Sequence, residues 1–358
     1  MENKKQFYAP VPIVNQKEQD IFEKLTKQYE KMLEPSMAAL LGRAAVRAIP
    51  EKVKQVGSLA LDAIKEEDVY NTVMKLIAEG FGTIEEYASK FTISEKAIIT
   101  QLNKNSKDFK VEHIGEVCFL RSYDVAKTVN KNKTFDIISA LVEGGATGYF
   151  GFVGIPFNLA LSTFLFFRAV QSIALSYGFD IKNDSTEMVI ASQVFMSAMN
   201  PTVKGSADEI SSITAKIMSM TQASLVQQLS KKSWEDMARR GGIPLLITQL
   251  RALANKSAQK ALQKAGQKGL EKSVFTDVFE QIGKKLSQKA VNKAVPKVSA
   301  AIGAFIDTAQ MKRVLEYADI FYQKRFILEK ESRIAAYLAD NPAIIEAEVV
   351  DIDENEIK

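Results

Sequence analysis

The sequence has very little cysteine and histidine, and these shortages exclude several classes of protein. Its 358 residues contain one cysteine, Cys118, so no disulfide can form within the chain. A small secreted fold held together by disulfides is therefore excluded. The single histidine is His113, and one cysteine with one histidine cannot complete a Cys₂His₂ or Cys₄ zinc site. We therefore expect no metal site and no cofactor.

We also expect no secretory leader, and the common catalytic motifs are absent from the sequence. The N-terminal MENKKQFYAPVP has no apolar segment behind it, unlike a signal peptide. The chain has no GxGxxG after a strand, no GxxxxGK[ST], no GxSxG and no HExxH. The apolar neighbours of Cys118 indicate a buried, inert thiol. We predict a non-enzymatic protein that is cytoplasmic, either free or peripheral at the inner face of the cell membrane.

What the sequence does contain is helical periodicity. Apolar residues make up 46% of the chain and charged residues 25%, as is typical of a globular protein. From Gln16 onward, apolar residues such as Ile21, Leu25 and Tyr29 recur at spacings of three and four. The prediction is an all-α multi-helix bundle forming a single domain over residues 17–340. A disordered segment, residues 1–16, precedes the domain, and an acidic tail, residues 341–358, follows it.

Residues 69–122 resemble a helix-turn-helix unit. The second helix of this unit is predicted over Ser94 to Asn103 and contains no arginine. Because DNA reading needs several cations on one face together with Arg, Asn or Gln at the bases, we do not expect nucleic acid as a partner. The alternation that follows predicts one short β-hairpin near residues 110–121.

The most unusual segment runs from Gly144 to Phe167 and contains 24 consecutive residues without a charge. That length could span a bilayer, but glycine and proline are crowded into its first half, which disfavours one straight helix. We predict an apolar helical hairpin over residues 136–180, with helices at about 136–150 and 157–177. Its bend and close helix approach depend on Gly144, Gly148, Gly151, Gly154 and Pro156.

A family resemblance rests on this hairpin. The run GGATGYFGFVGIPFNLALSTFLFFRAVQSIALSYGFD contains Arg168 and ends with Ile173, Ala174, Tyr177, Gly178 and Asp180. A second run, VPKVSAAIGAFIDTAQMKRVLEYADIFYQKRF, has a proline, a Gly-Ala pair and a helix with an aromatic end. Together these runs resemble the EcsC family of bacterial proteins over roughly residues 18–330. The resemblance implies a setting beside the subunits of an ABC transporter and no established enzymatic activity.

Lysine is concentrated in residues 230–297, which hold 15 Lys or Arg against 5 Asp or Glu. Within this segment lysines recur every four residues at Lys256, Lys260, Lys264, Lys268 and Lys272. The simplest interpretation of such a stripe is an ordinary solvated face; on an amphipathic helix it can also dock on anionic lipid headgroups or bind nucleic acid.

Two functions follow from these observations. The first is a membrane-associated accessory protein that binds an anionic membrane surface or a membrane protein. Its candidate interaction residues are the hairpin residues Gly144, Gly148, Gly151, Gly154, Pro156 and Arg168 and the five lysines above. The second is a soluble helical adaptor or regulator that contacts protein or DNA through the helix-turn-helix-like unit, with the apolar hairpin buried in its core.

Overall fold

The computed structural model describes residue 7 and residues 9–34, 70–71, 74–75, 94–106, 109–131, 155–199, 209–220, 243–266, 269–292 and 308–340. Across these residues the protein is helical, with no strand, which confirms the all-α prediction. The longer helices are α1 (Gln16–Leu33), α2 (Glu95–Asn105), α3 (Ser122–Lys131), α4 (Ile155–Ser176), α5 (Ser185–Met199), α6 (Glu209–Ser219), α7 (Ile243–Ala265), α8 (Leu270–Asn292) and α9 (Thr308–Asp340). A 3-10 helix spans Ile114–Phe119.

Helix α9 lies at the centre of the bundle. It packs against α1, α3, α4, α5, α6 and the 3-10 helix. Every residue from Ile320 to Lys330 is buried. A helix surrounded on all sides is normally apolar throughout, yet this stretch includes lysine, arginine and glutamate. Those side chains determine how the neighbouring helices are held.

The second arm of the predicted apolar hairpin corresponds to α4, which begins at Ile155 and ends at Ser176. From Thr163 onward its apolar side chains, including Phe166 and Phe167, are buried against other helices. This part of the hairpin therefore belongs to the protein core. The predicted first arm lies outside the described residues, as do Gly144, Gly148, Gly151 and Gly154.

Among the described residues, none of the helices combines the length and the apolar character needed to cross a bilayer.

The predicted β-hairpin at residues 110–121 is wrong. Residues 109–113 are irregular and lead into the 3-10 helix. The side chain of Asn103 takes the place of a partner strand: its Oδ1 accepts from the Val111 amide at 2.8 Å, and its Nδ2 donates to the Val111 carbonyl at 2.7 Å. Ile114, Val117 and Cys118 are then buried at spacings of three and four, so the segment follows a helical period.

The described part of the N-terminal segment, residue 7 and residues 9–15, contacts the bundle. Phe7 is buried, with ring centroids 5.3–5.6 Å from those of Phe109, Phe119 and Tyr337. The Arg121 guanidinium donates to the Pro12 carbonyl oxygen at 2.9 Å. An aromatic contact and a backbone hydrogen bond therefore hold this segment against the bundle.

Gly178 ends α4 and explains part of the sequence signature noted above. It has a φ of +78°, a left-handed conformation that side chains disfavour. The Gly178 amide donates to the Leu175 carbonyl at 2.9 Å, and the Phe179 amide donates to the Ala174 carbonyl at 3.0 Å. An added Cβ would lie 2.8 Å from the Val117 Cβ and 2.5 Å from an Arg333 guanidinium nitrogen. Only glycine fits both the backbone and the space.

We expect Gly178→Ala to lower the free energy of unfolding by about 2–4 kcal/mol, because backbone strain and crowding add. Gly266→Ala is the matched control: Gly266 has a φ of +69°, but a Cβ added there would meet nothing within 4 Å. This control should lose only about 1–2 kcal/mol. Urea unfolding of both variants measures the difference, and equal losses would contradict the crowding at Gly178.

Candidate functional site

Helix α9 carries buried charges that bind groups on several neighbouring helices. Lys324, Arg325, Glu329 and Lys330 are all buried. Moving an ion from water into a protein interior costs several kcal/mol, so each of these groups needs a partner of opposite charge or several hydrogen bonds. The partners come from α1, α5, α6 and the end of α4.

Arg325 joins α9 to α5. Its guanidinium donates to both carboxylate oxygens of Glu187, at 2.6 and 2.8 Å, and also contacts Glu329 one turn further along α9. Two parallel hydrogen bonds of this kind fix the orientation of both groups. The two carboxylates hold the pKa of Arg325 above its ordinary value, against the effect of burial. At the surface, Arg251 of α7 contacts Glu187 at 2.5 Å and extends the cluster to a third helix.

Lys324 joins α9 to α1 and to the end of α6. Its ammonium donates to the Met218 carbonyl at 2.6 Å, the Met220 carbonyl at 2.8 Å and the Thr26 hydroxyl at 2.7 Å. These three acceptors match the three donors of a protonated lysine. They also satisfy carbonyls at a helix C-terminus that lack partners within the helix. Burial lowers the pKa of Lys324 to about 7.

Lys330 joins α9 to the beginning of α1. It contacts the Glu18 carboxylate at 2.9 Å, and Arg121 contacts the same carboxylate at 3.1 Å. Glu18 also forms a capping box with Asn15 at the N-terminus of α1. Burial lowers the pKa of Lys330 to about 8, although the charge of Glu18 opposes the shift.

Arg333 joins α9 to the C-terminus of α4. Its guanidinium donates to the Tyr177 carbonyl at 3.0 Å and to the Gly178 carbonyl at 2.5 Å. A second contact between the same two elements runs in the opposite direction: the Tyr177 hydroxyl donates to the Asp319 carboxylate of α9 at 2.7 Å. Asp180 closes the turn after α4, because its carboxylate accepts from the amides of Lys182 and Asn183. The Tyr-Gly-x-Asp sequence therefore forms the joint between α4 and α9.

A cleft of about 490 Å³ opens between α1, α3 and α9, on the side of α9 that carries Asp319. Asp319 is half-buried in it, beside Gln323 and Glu316. Burial raises the pKa of Asp319 to about 6; the hydrogen bond from Tyr177 opposes this shift, and the charge of Glu316 adds to it. Exposed lysines surround the opening: Lys24, Lys127 and Lys312. The cleft is thus lined by charged and apolar side chains, and the pKa of its Asp319 carboxyl group is raised.

A basic face lies on α7, a helix that contributes no residue to the cleft. Lys256, Lys260 and Lys264 are exposed, and the opposite face is buried through Ala254 and Ala258. Helix α7 contains no acidic residue over its 23 positions. We call Lys256, Lys260 and Lys264 the α7 basic face.

The lysine stripe predicted from Lys256 to Lys272 does not run along one helix. Helix α7 ends at Ala265, and Gly266 follows with a left-handed backbone. Lys272 is exposed on the next helix, α8, and Lys268 lies outside the described residues. The glycine interrupts the four-residue periodicity that the sequence suggested.

Two of the predicted hairpin residues, Pro156 and Arg168, lie in the described part of the chain, and both serve the fold. Pro156 lies in the first turn of α4, where a missing backbone N–H costs nothing. Arg168 is half-buried, contacts Glu271 of α8 at 2.6 Å and lies over the Phe164 ring. Burial lowers the pKa of Arg168, and Glu271 opposes the shift. The structure therefore assigns Arg168 to helix packing.

One group of side chains has the composition of a metal site. Ligand atoms of Glu112, His113 and Glu116 lie within 4.8 Å of one another. The Glu116 carboxylate already accepts from the Glu112 amide at 2.7 Å and from the Tyr337 hydroxyl at 3.3 Å. These bonds give Glu116 a structural role at the end of α9, and we assign no metal there.

Sequence reasoning missed the charged residues of α9 and the cleft. The glycine and proline pattern near residues 296–304 does not predict the burial of the polar residues in α9, which follows it in the sequence. One local signal was available: Arg325 and Glu329 stand four apart in an apolar stretch, a spacing that brings side chains together on a helix. The distant partner Glu187, 138 positions away from Arg325, left no comparable signal.

The helical bundle and the buried charges of α9 make this an all-α protein built around a charged central helix. The chain belongs to the EcsC protein family, whose model matches residues 14–327. This match confirms the resemblance and covers the helices from α1 into α9. No curated protein and no solved structure matches the chain.

The lowered pKa of Lys324 predicts a pH dependence of stability. Between pH 7 and about 9.5 the unfolded chain keeps a proton on this lysine that the folded protein has released, so the free energy of unfolding should rise with pH. Lys330, with its pKa near 8, adds to the rise above pH 8. In Lys324→Met the rise between pH 7 and 8 should be largely lost.

Urea unfolding at several pH values measures this slope, and the slope is informative even if the variant is less stable overall. Lys27→Met is the control, since Lys27 is exposed on α1. Its curve should run parallel to that of the wild type. The same slope in Lys324→Met as in the wild type would contradict the assignment.

Proposed function

We propose that this EcsC-family protein is a non-enzymatic accessory protein that docks on an anionic membrane surface and supports a membrane protein such as an ABC transporter. The observation that carries the proposal is the α7 basic face, which exposes three lysines on a helix without any acidic residue. The sign of this face is complementary to anionic lipid headgroups.

The spacing of these lysines places them on one side of α7. A four-residue step rotates by about 40° relative to a full turn, so Lys256 and Lys264 differ by about 80° and stand about 12 Å apart along the axis. Three cations can therefore approach a flat surface together. Each cation near an anionic surface contributes about 1 kcal/mol.

Helix stability accounts for only part of this pattern. Lys264 lies in the last turn of α7, where a cation interacts favourably with the helix dipole. Lys256 is more than two turns from that end, beyond the reach of this effect. Like charges four residues apart repel each other on a helix, so Lys256 and Lys260 together reduce its intrinsic stability. An external anionic surface supplies a reason for their presence.

The DNA-binding alternative finds less support in the described contacts. In α2, which is the second helix of the helix-turn-helix-like unit, both ends of the Asn103 amide bond to the backbone of Val111. Ser94 caps the same helix by accepting from the Ala97 amide. Two polar groups that could otherwise read bases therefore serve the fold of the protein itself.

Vesicle flotation tests the proposal. We expect the wild type to float with vesicles containing anionic lipid, to stay behind with neutral vesicles, and to be released by high salt. The variant Lys256→Gln/Lys260→Gln/Lys264→Gln should bind about 100-fold more weakly, since it loses about 3 kcal/mol of attraction.

The control variant is Lys27→Gln/Lys31→Gln/Lys96→Gln, which removes the same charge from exposed positions on α1 and α2. It should float like the wild type. Equal losses in both variants would show that net charge acts without a specific face. Failure of the wild type to float under any condition would reject membrane docking and leave the soluble adaptor.

A further inference from the structure

The cleft between α1, α3 and α9 contains charges of both signs that do not pair with each other. Asp319 and Glu316 contribute carboxylates, and Lys24 and Lys312 contribute ammonium groups. Within the part of the chain that the structure describes, none of these four forms an ion pair. The charges are thus available to a bound molecule.

The geometry of the cleft explains why they stay apart. Lys312 and Glu316 stand four apart on α9 with the lysine first, the less favourable order for an ion pair on a helix. Lys24 belongs to a different helix, α1, on the far wall. Lys127 on the third wall is already occupied, at 2.9 Å from Asp124. The cleft therefore carries two carboxylates and one ammonium group on α9 and a further ammonium group on α1.

Asp319 has one carboxylate oxygen that accepts a hydrogen bond and one that accepts none from the described residues. The Tyr177 hydroxyl donates to its Oδ1 at 2.7 Å and fixes the carboxyl plane. Its Oδ2 accepts no hydrogen bond from the described residues and lies in a group that lines the cleft. An ammonium group bound there would gain a charge-assisted hydrogen bond in a partly desolvated position.

The remaining lining suits a short carbon skeleton. Ile21 and Leu25 of α1 and Leu315 and Ile320 of α9 contribute apolar side chains to the lining. The volume of about 490 Å³ falls within the range of small-molecule sites. Apolar walls with a few polar groups at fixed places are the usual composition of such sites.

We infer that this cleft binds a small zwitterion, with its ammonium group at Asp319 and Glu316 and its phosphate or carboxylate group at Lys24 and Lys312. The inference does not depend on membrane docking, because it uses none of the residues of the α7 basic face. Either proposal can fail while the other stands. The zwitterion can be a free solute or the headgroup of a lipid.

Isothermal titration calorimetry with glycerophosphoethanolamine tests the inference on the full chain. The wild type should bind this zwitterion, while ethanolamine alone and inorganic phosphate alone should each bind at least about tenfold more weakly, since each loses one set of charged contacts. Asp319→Asn and Lys24→Met should each weaken binding by at least about tenfold. The matched controls Glu23→Gln and Lys27→Met, both at exposed positions on α1 outside the cleft, should bind like the wild type.

The pH dependence gives an independent readout. Lowering the pH from 7.5 to 5 should weaken binding, because Asp319 becomes protonated near pH 6 while the phosphodiester and the amine of the probe keep their charges. The charged and titratable groups around Asp319 are Lys24 from α1, Tyr123 and Lys127 from α3, Tyr177 after α4, and Lys312 and Glu316 from α9. In Asp319→Asn this pH dependence should be lost.

The source of the zwitterion is distinguished with monomeric dihexanoyl-phosphatidylethanolamine. Tighter binding than that of the bare headgroup identifies a lipid, and equal binding identifies a free solute. No binding of either probe to the wild type would overturn the inference. It would also be overturned if Asp319→Asn and Lys24→Met, each with the wild-type circular dichroism spectrum, bound as tightly as the wild type.

Discussion

The ion pair between Arg325 and Glu187 joins α9 to α5 inside the core, where both side chains are buried. Removing either partner would leave the other with fewer compensating groups, Arg325 with Glu329 alone or Glu187 with the exposed Arg251 alone, in a medium that solvates charge poorly. The same condition applies to Lys324 at the end of α6 and to Lys330 at the beginning of α1. Because the cations of α9 together contact α1, α5, the end of α6 and the end of α4, the positions of those helices are set together. The bundle is thus fixed by direction-dependent contacts as well as by apolar packing.

The joint between α4 and α9 shows how this arrangement reaches the cleft. Arg333 binds the carbonyls at the end of α4, and Tyr177 returns a hydrogen bond to Asp319. Gly178 permits both contacts, because its left-handed backbone turns the chain at the point where a side chain would collide with α9. Residues that the sequence presented as a family signature therefore position the carboxyl group that lines the cleft. A structural motif and a candidate binding site share the same side chains.

The sequence allowed the fold class and one important helix to be predicted, and the reasons are local. The apolar run that begins near residue 157 and ends near 177 identified α4 to within two residues, because continuous apolar character depends only on neighbours in the chain. The β-hairpin was predicted wrongly, because the partner of Val111 is the side chain of Asn103 and this contact leaves no periodic pattern. The charged core was missed for a related reason: Lys330 and Glu18 are 312 positions apart, and exposed and buried lysines are identical in a sequence. Asp319 became a candidate only when α1, α3 and α9 were brought together.

Helix α9 is held to its neighbours by buried charges, and the stability of Arg325→Met tests their importance most directly. The single change should lower the free energy of unfolding by about 3–5 kcal/mol, because it leaves Glu329 buried without its cation and leaves Glu187 paired only with the exposed Arg251. The triple change Glu187→Gln/Arg325→Met/Glu329→Gln should recover most of that loss, since it removes the stranded charges as well. Chemical unfolding of the two variants measures the comparison. A loss below about 1 kcal/mol in Arg325→Met, or no recovery in the triple variant, would contradict the central role assigned to the buried charges.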